Sequence, residues 1–153
     1  MFDAPMDGPV LWIALGVVSC IAASVALGLP STAPPDAAGT ADAIDRVATS
    51  PYGATATVPV GADEIRLGPT QLSLRENGHA SHATFAAGAV VPAGDALAPV
   101  LRGGRPQDVF ESKRAFEAAL DGPPAARGSW REAPDRLRVR RVTWGDVDAT
   151  LVG

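Results

Sequence analysis

The sequence predicts an α+β fold: an N-terminal transmembrane helix, then a short helix, then a small β-rich domain with two hairpins and one packed helix. Three observations predict it. The run from Pro9 to Leu29, PVLWIALGVVSCIAASVALGL, carries no charged side chain. From Tyr52 to about Val91, and again from Arg136 onward, short alternating segments rich in Thr, Val, Ile and Leu are punctuated by Gly, Pro and Asn. That is the pattern of strands and tight turns. Between the two β-rich regions lies one amphipathic stretch with polar residues at its start and Gly122-Pro123 at its end. The chain therefore divides into a tail at 1–8, a transmembrane helix at 9–29, a Pro/Ala-rich connector with a short helix at 30–51, and a soluble α+β domain at 52–153.

Taken in order, the first element is the apolar run. As a helix rising about 1.5 Å per residue it reaches roughly 30 Å, the thickness of a bilayer's hydrocarbon core. The tail before it, MFDAPMDG, has two aspartates and no Lys or Arg, the wrong sign for a secretory signal peptide. The small-residue site at Ser31-Thr32-Ala33 is followed by Pro34, which obstructs the extended binding that cleavage needs. A retained anchor is expected. The basic tail and the glutamate of a prepilin leader are both missing, which argues against a processed pilin. Trp12 stands near the start of the run, where an interfacial anchor belongs. Gly16, Cys20, Ser24 and Gly28 repeat every four residues and make a seam of small side chains. Such a seam lets a second helix approach closely, through self-association or another membrane subunit. The same pattern also arises in any span rich in Ala and Gly, and both readings stand.

Pro30, Pro34 and Pro35 break the anchor helix. A helix follows from about Asp36, where Ala37, Ala41, Ile44 and Val47/Ala48 keep helical spacing before Pro51. It is too weakly apolar to stand alone, so it packs on the domain or frays. Strands are expected at Ala54 to Val60, Glu64 to Leu67, Thr70 to Glu76 and His79 to Phe85. Asn77-Gly78 suits a type I′ turn, which needs positive φ at both positions. Leu72 then faces Ala83, Leu74 faces Ser81, Thr70 faces Phe85, and Leu72, Leu74, Ala83 and Phe85 point inward. Gly94 to Pro106 reads as loop. Asp108 to Leu120 reads as a helix capped by Asp108 with Glu111, its core stripe formed by Val109, Phe116, Ala119 and Leu120.

A second hairpin pairs Arg136 to Trp144 with Val147 to Val152 about a type II′ turn at Gly145-Asp146. Val142, Trp144, Val147, Ala149 and Leu151 share one face, while Leu137 and Val139 fall on the other phase. Either a bulge lies near Arg140-Arg141 or the sheet is covered on both sides; the bulge is the favoured expectation.

Net charge is −4 with 13 basic residues, of which only Lys113 is a lysine. No nucleic-acid partner is expected from that balance. The lone Cys20 excludes an intramolecular disulfide. His79 and His82 are three apart on one strand and face opposite ways, so no metal site is expected. Ser, His and Asp occur without the strand-turn-helix context of a nucleophile, and Gly103-Gly104 lacks the Lys-Ser/Thr ending of a phosphate loop. The chain is accordingly expected not to be an enzyme, with no cofactor and no small-molecule substrate. The one concentrated basic element is RLRVRR. Arg136, Arg138, Arg140 and Arg141 there form either a solvated face protecting an edge strand or a contact for anionic lipid headgroups or an acidic partner.

The anchor together with DAIDRVATSPYGATATVPVGADEIRLGPTQLSLR, SHATFAAG and DRLRVRRVTWGDVDATLVG resembles an uncharacterised haloarchaeal family of small single-span membrane proteins. That family in turn resembles accessory components of type IV pilus-like or Tad-like systems. The resemblance implies an archaeal cell-membrane location with an extracytoplasmic domain and a structural part in a surface or secretion assembly. By contrast, the first basic residue after the run, Arg46, slightly favours a cytoplasmic C-terminal part. The competing expectation is a stand-alone, membrane-tethered binding or sensing module of the envelope.

Overall fold

Helix α1, Ala37–Ala48, begins where Asp36 accepts the Gly39 amide at 2.8 Å and so satisfies one of the free donors of the first turn. Its stripe of Ala37, Ala41, Ile44 and Val47 is buried, and Ile44 is completely so. Burying a side chain of that size contributes about 1.5–3 kcal/mol, which explains why a weakly apolar helix is held in place. The computed structural model describes residues 33–122 and 128–153. The expected transmembrane helix at 9–29 lies outside the described residues. Among those described, no helix is long and apolar enough to cross a membrane. Helix α1 falls within the same compact unit, Pro34–Gly153, as the strands.

Four strands follow: β1 Thr55–Pro59, β2 Glu64–Leu67, β3 Gln71–Glu76 and β4 His79–Thr84. The β3–β4 turn has positive φ at Asn77 (48°) and Gly78 (81°), as a type I′ turn requires. The register is the expected one, Leu72 opposite Ala83 and Leu74 opposite Ser81. The Phe85 amide donates to Thr70 O at 3.0 Å, which continues the ladder. A short strand β5, Val91–Pro92, leads into helices α2 (Ala98–Leu101), α3 (Pro106–Val109) and α4 (Lys113–Asp121). Strands β6 (Arg131–Glu132), β7 (Arg136–Trp144) and β8 (Val147–Val152) complete the described fold. One sheet has the order β1-β7-β8-β5, with β5 parallel to β8; the other has the order β4-β3-β2-β6.

Three expectations are corrected. The β7–β8 register runs unbroken from Val139↔Val152 to Trp144↔Val147, so there is no bulge near Arg140-Arg141. The sheet is instead covered on both sides, because the two apolar phases of β7 face two different cores. Leu137, Val139 and Val152 join α1 and the second sheet in one core. Val142 and Leu151 join Leu97, Val100, Leu101 and Phe116 in the other. Next, the helix expected over Asp108 to Leu120 is broken. Phe110 is extended (φ −112°, ψ 138°), and Ser112 caps a new helix by accepting the Ala115 amide at 3.2 Å. Asp108 lies in α3 and does not cap α4, and Val109 is exposed. The break lets Phe110 turn onto Phe116, ring centroids 5.5 Å apart, with the Trp144 ring 6.0 Å from Phe116. Last, the stretch read as loop from Gly94 to Pro106 contains α2, whose Val100 and Leu101 are buried beside Leu97.

Candidate functional site

Strand β7 is not an edge strand. It lies between β1 and β8, so its arginines have no edge to protect, and its alternation sorts them between two faces. Arg136, Arg138 and Arg140 share the face that also carries Val142, and Arg141 is on the opposite one.

The four do not form one patch. Arg140 reaches under the small helices and donates through Nη1 to Val100 O and, at 2.8 Å, to Gly104 O. It thereby ties the ends of α2 and its following turn to the sheet. Arg141 closes the opposite side. Its Nη1 donates to Ser50 O at 2.7 Å, and Nε and Nη2 donate to both oxygens of Asp148 at 3.2 and 2.5 Å. Its guanidinium also lies over the Tyr52 ring at 5.1 Å. The hydrogen bond that Arg141 donates to Asp148 raises the Arg141 pKa above its ordinary value. Both residues are structural ties, and the expectation that they offer a free contact is corrected.

Arg136 and Arg138 behave differently. They lie opposite Pro59 and Thr57 of β1 and line an open cleft of about 490 Å³. Two more arginines enter the same cleft from elsewhere: Arg102, the C-cap of α2, and Arg131 of β6. Among the described residues, no Asp, Glu, His or Cys side chain lines it. Arg105, Lys113, Arg75 and Arg141 all have carboxylate partners, whereas among the described residues none of the four cleft arginines has one. Gly153 closes one end, its amide donating to Arg138 O at 3.0 Å while its own O accepts the Arg138 amide at 2.8 Å. That exchange holds Arg138 in place at the cleft.

Sequence reasoning found two of these four arginines. It missed Arg102 and Arg131, which are brought to the cleft from different elements. The signal for Arg102 was the spacing of Leu97, Val100 and Leu101, which marks a helical turn ending at that arginine. Nothing local marks Arg131.

Elsewhere, the outer face of the second sheet carries a polar ladder. Ser73 Oγ lies 2.8 Å from His82 Nδ1, and Arg75 pairs with Glu64 at 2.7 Å. The Trp130 ring lies over the guanidiniums of Arg66 and Arg75, at 5.2 and 4.1 Å. His82 is engaged with Ser73, and among the described residues no three His, Cys, Asp or Glu side chains gather around a common point. The seam residues Gly16, Cys20, Ser24 and Gly28 lie outside the described residues.

No curated protein and no solved structure matches this chain. The model of a family of unknown function (DUF7283) matches residues 3–142, and the chain belongs to that family.

Proposed function

We propose that this protein is a membrane-anchored structural or accessory subunit, with the run at 9–29 as its single-pass anchor and its α+β domain making protein contacts. The carrying observation is the uncharged stretch from Pro9 to Leu29, whose length suits a bilayer's hydrocarbon core. The family match runs from residue 3 to 142 and so takes in both that stretch and most of the domain, which supports treating them as one design. The small-residue seam supplies a surface for a partner helix or a second copy. Together with the resemblance, these features support a place in an archaeal pilus-like or secretion assembly, with the domain outside the cytoplasm. No chemistry is required of it.

The decisive experiment uses the whole chain. In cell fractionation it stays with the membranes after an alkaline wash, and release into the supernatant without detergent sinks the reading. Gly16→Leu and Ser24→Leu are then expected to disrupt association in mild detergent. Unchanged complex formation in both variants leaves the anchor but removes the assembly role. The second reading is a stand-alone, membrane-tethered binding module of the envelope. The arginine-lined cleft favours it.

A further inference from the structure

Four arginines that line one cleft need a reason. Arg136 and Arg138 are two residues apart on one strand, roughly 7 Å along it, and they share their cleft with Arg102 and Arg131. The chain as a whole is acidic, at −4, yet this cleft gathers four of its 13 basic residues and, among the described residues, no acidic side chain. The acidic neighbours in sequence, Glu132 and Asp135, are not among its lining residues and make no ion pair with these arginines. The concentration is thus a product of folding, drawing on α2, β6 and β7.

We propose that this cleft is a binding site for a phosphate group, carried either by a free small anion or by an anionic lipid headgroup. Guanidinium presents a planar fork of donors that matches two oxygens of a phosphate at once. None of the four guanidiniums is committed to a hydrogen bond within the described protein, so their donors are available together. Thr57 lines the same cleft, and its hydroxyl is a donor of another kind. Arg138 is held by its paired backbone bonds to Gly153 and lies opposite Thr57 in the β1–β7 register, so part of the site is organised before the anion arrives. Among the described residues the lining has no carboxylate side chain, imidazole or thiol, so the proposed role is to hold the anion. This assignment goes beyond the structural role proposed above and does not depend on the anchor.

The test is calorimetric titration of the full chain, purified in a neutral detergent, with three probes. They are inorganic phosphate, water-soluble dihexanoyl phosphatidylglycerol, and an oligoglutamate peptide. Saturable binding of phosphate or of phosphatidylglycerol is expected, weakened at least tenfold in the Arg136→Gln/Arg138→Gln double variant and also in Arg102→Gln. Arg105→Gln, on an exposed arginine paired with Asp108 outside the cleft, is expected to bind as the parent does. Preference for phosphate identifies a free anion, and preference for phosphatidylglycerol identifies a headgroup. Either one upholds the site. The proposal is overturned if neither phosphate probe saturates, if the double variant binds undiminished with an unchanged circular dichroism spectrum, or if oligoglutamate binds more tightly than both.

Discussion

The β3–β4 hairpin buries Leu72, Leu74 and Phe85 on one face, while its other face carries Ser73, Arg75 and His82 in a polar ladder beneath Trp130. The β7–β8 hairpin is apolar on both faces at once, Leu137, Val139 and Val152 to one side and Val142 and Leu151 to the other. Both are joined by tight turns with glycine at positive φ, Gly78 at 81° and Gly145 at 65°. What separates them is what the rest of the chain supplies as cover. The first hairpin needs only the core it shares with α1. The second is a wall between two cores, and only part of its outer face is roofed by α2 to α4. The arginine cleft begins where that roof stops.

The contrast is most sharply tested by emptying each side of the wall. Leu137→Ala is expected to cost about 2–5 kcal/mol and Phe116→Ala about 3–5 kcal/mol. His79→Ala, on the exposed strand β4, stays within about 0.5 kcal/mol. Urea denaturation followed by circular dichroism measures all three. A Phe116→Ala cost below about 1 kcal/mol would mean that the side of β7–β8 beneath α4 is not a core.

A smaller effect separates the two kinds of arginine on one face of β7. Arg140→Met keeps the stem but removes the side-chain donor to Gly104 O and one of the two donors to Val100 O, the Gly103 amide being the other, and is expected to cost about 1–3 kcal/mol. Arg138→Met removes a cleft arginine that makes no such bond and is expected to stay within about 0.5 kcal/mol. Equal costs in the same denaturation experiment would erase the distinction between tie and site.

The smallest effect is electrostatic and lies at the β7–β8 turn. Lys113 of α4 donates to Asp146, which lowers the Asp146 pKa below 3.8 and raises that of Lys113 above 10.5. A depressed carboxylate pKa stabilises the fold above the unfolded value and loses that contribution as pH falls through the folded one. The stability difference between the parent and Asp146→Asn is therefore expected to be small and flat through neutral pH. It should be lost as pH falls through the depressed Asp146 value, and as pH rises through the raised Lys113 value and that ammonium loses its proton. Added salt should shrink it, since both groups are exposed. A difference that did not shrink on acidification would assign the effect to something other than this pair.

Hairpin registers and the α1 stripe were legible because they rest on neighbours in sequence. Asn77-Gly78 dictates its turn, and the alternation of Leu72 and Leu74 dictates which way the strand faces. The same rule misled at Arg140-Arg141. A reversal of apolar phase has two physical solutions, a bulge or a second cover, and the choice belongs to helices dozens of residues away. The break at Phe110 was hidden for a similar reason. Asp108 and Glu111 have the spacing of a capping box, yet stacking Phe110 on Phe116 requires an extended residue between two helices, and Ser112 then caps the second. Trp130 drew no attention because its role depends on Arg66 and Arg75, which the second sheet places beneath it.

Composition and short-range pattern alone decided the uncharged run at 9–29, the net acidity, both hairpins and their turns, since each depends on interactions among close neighbours. The two-sided sheet, the sorting of RLRVRR into ties and free groups, and the arrival of Arg102 and Arg131 beside Arg136 and Arg138 were decided by tertiary packing. Charge carries no label for its partner along a chain. A guanidinium becomes a tie or part of a site according to which carbonyl, carboxylate or cleft the folded backbone brings within its reach.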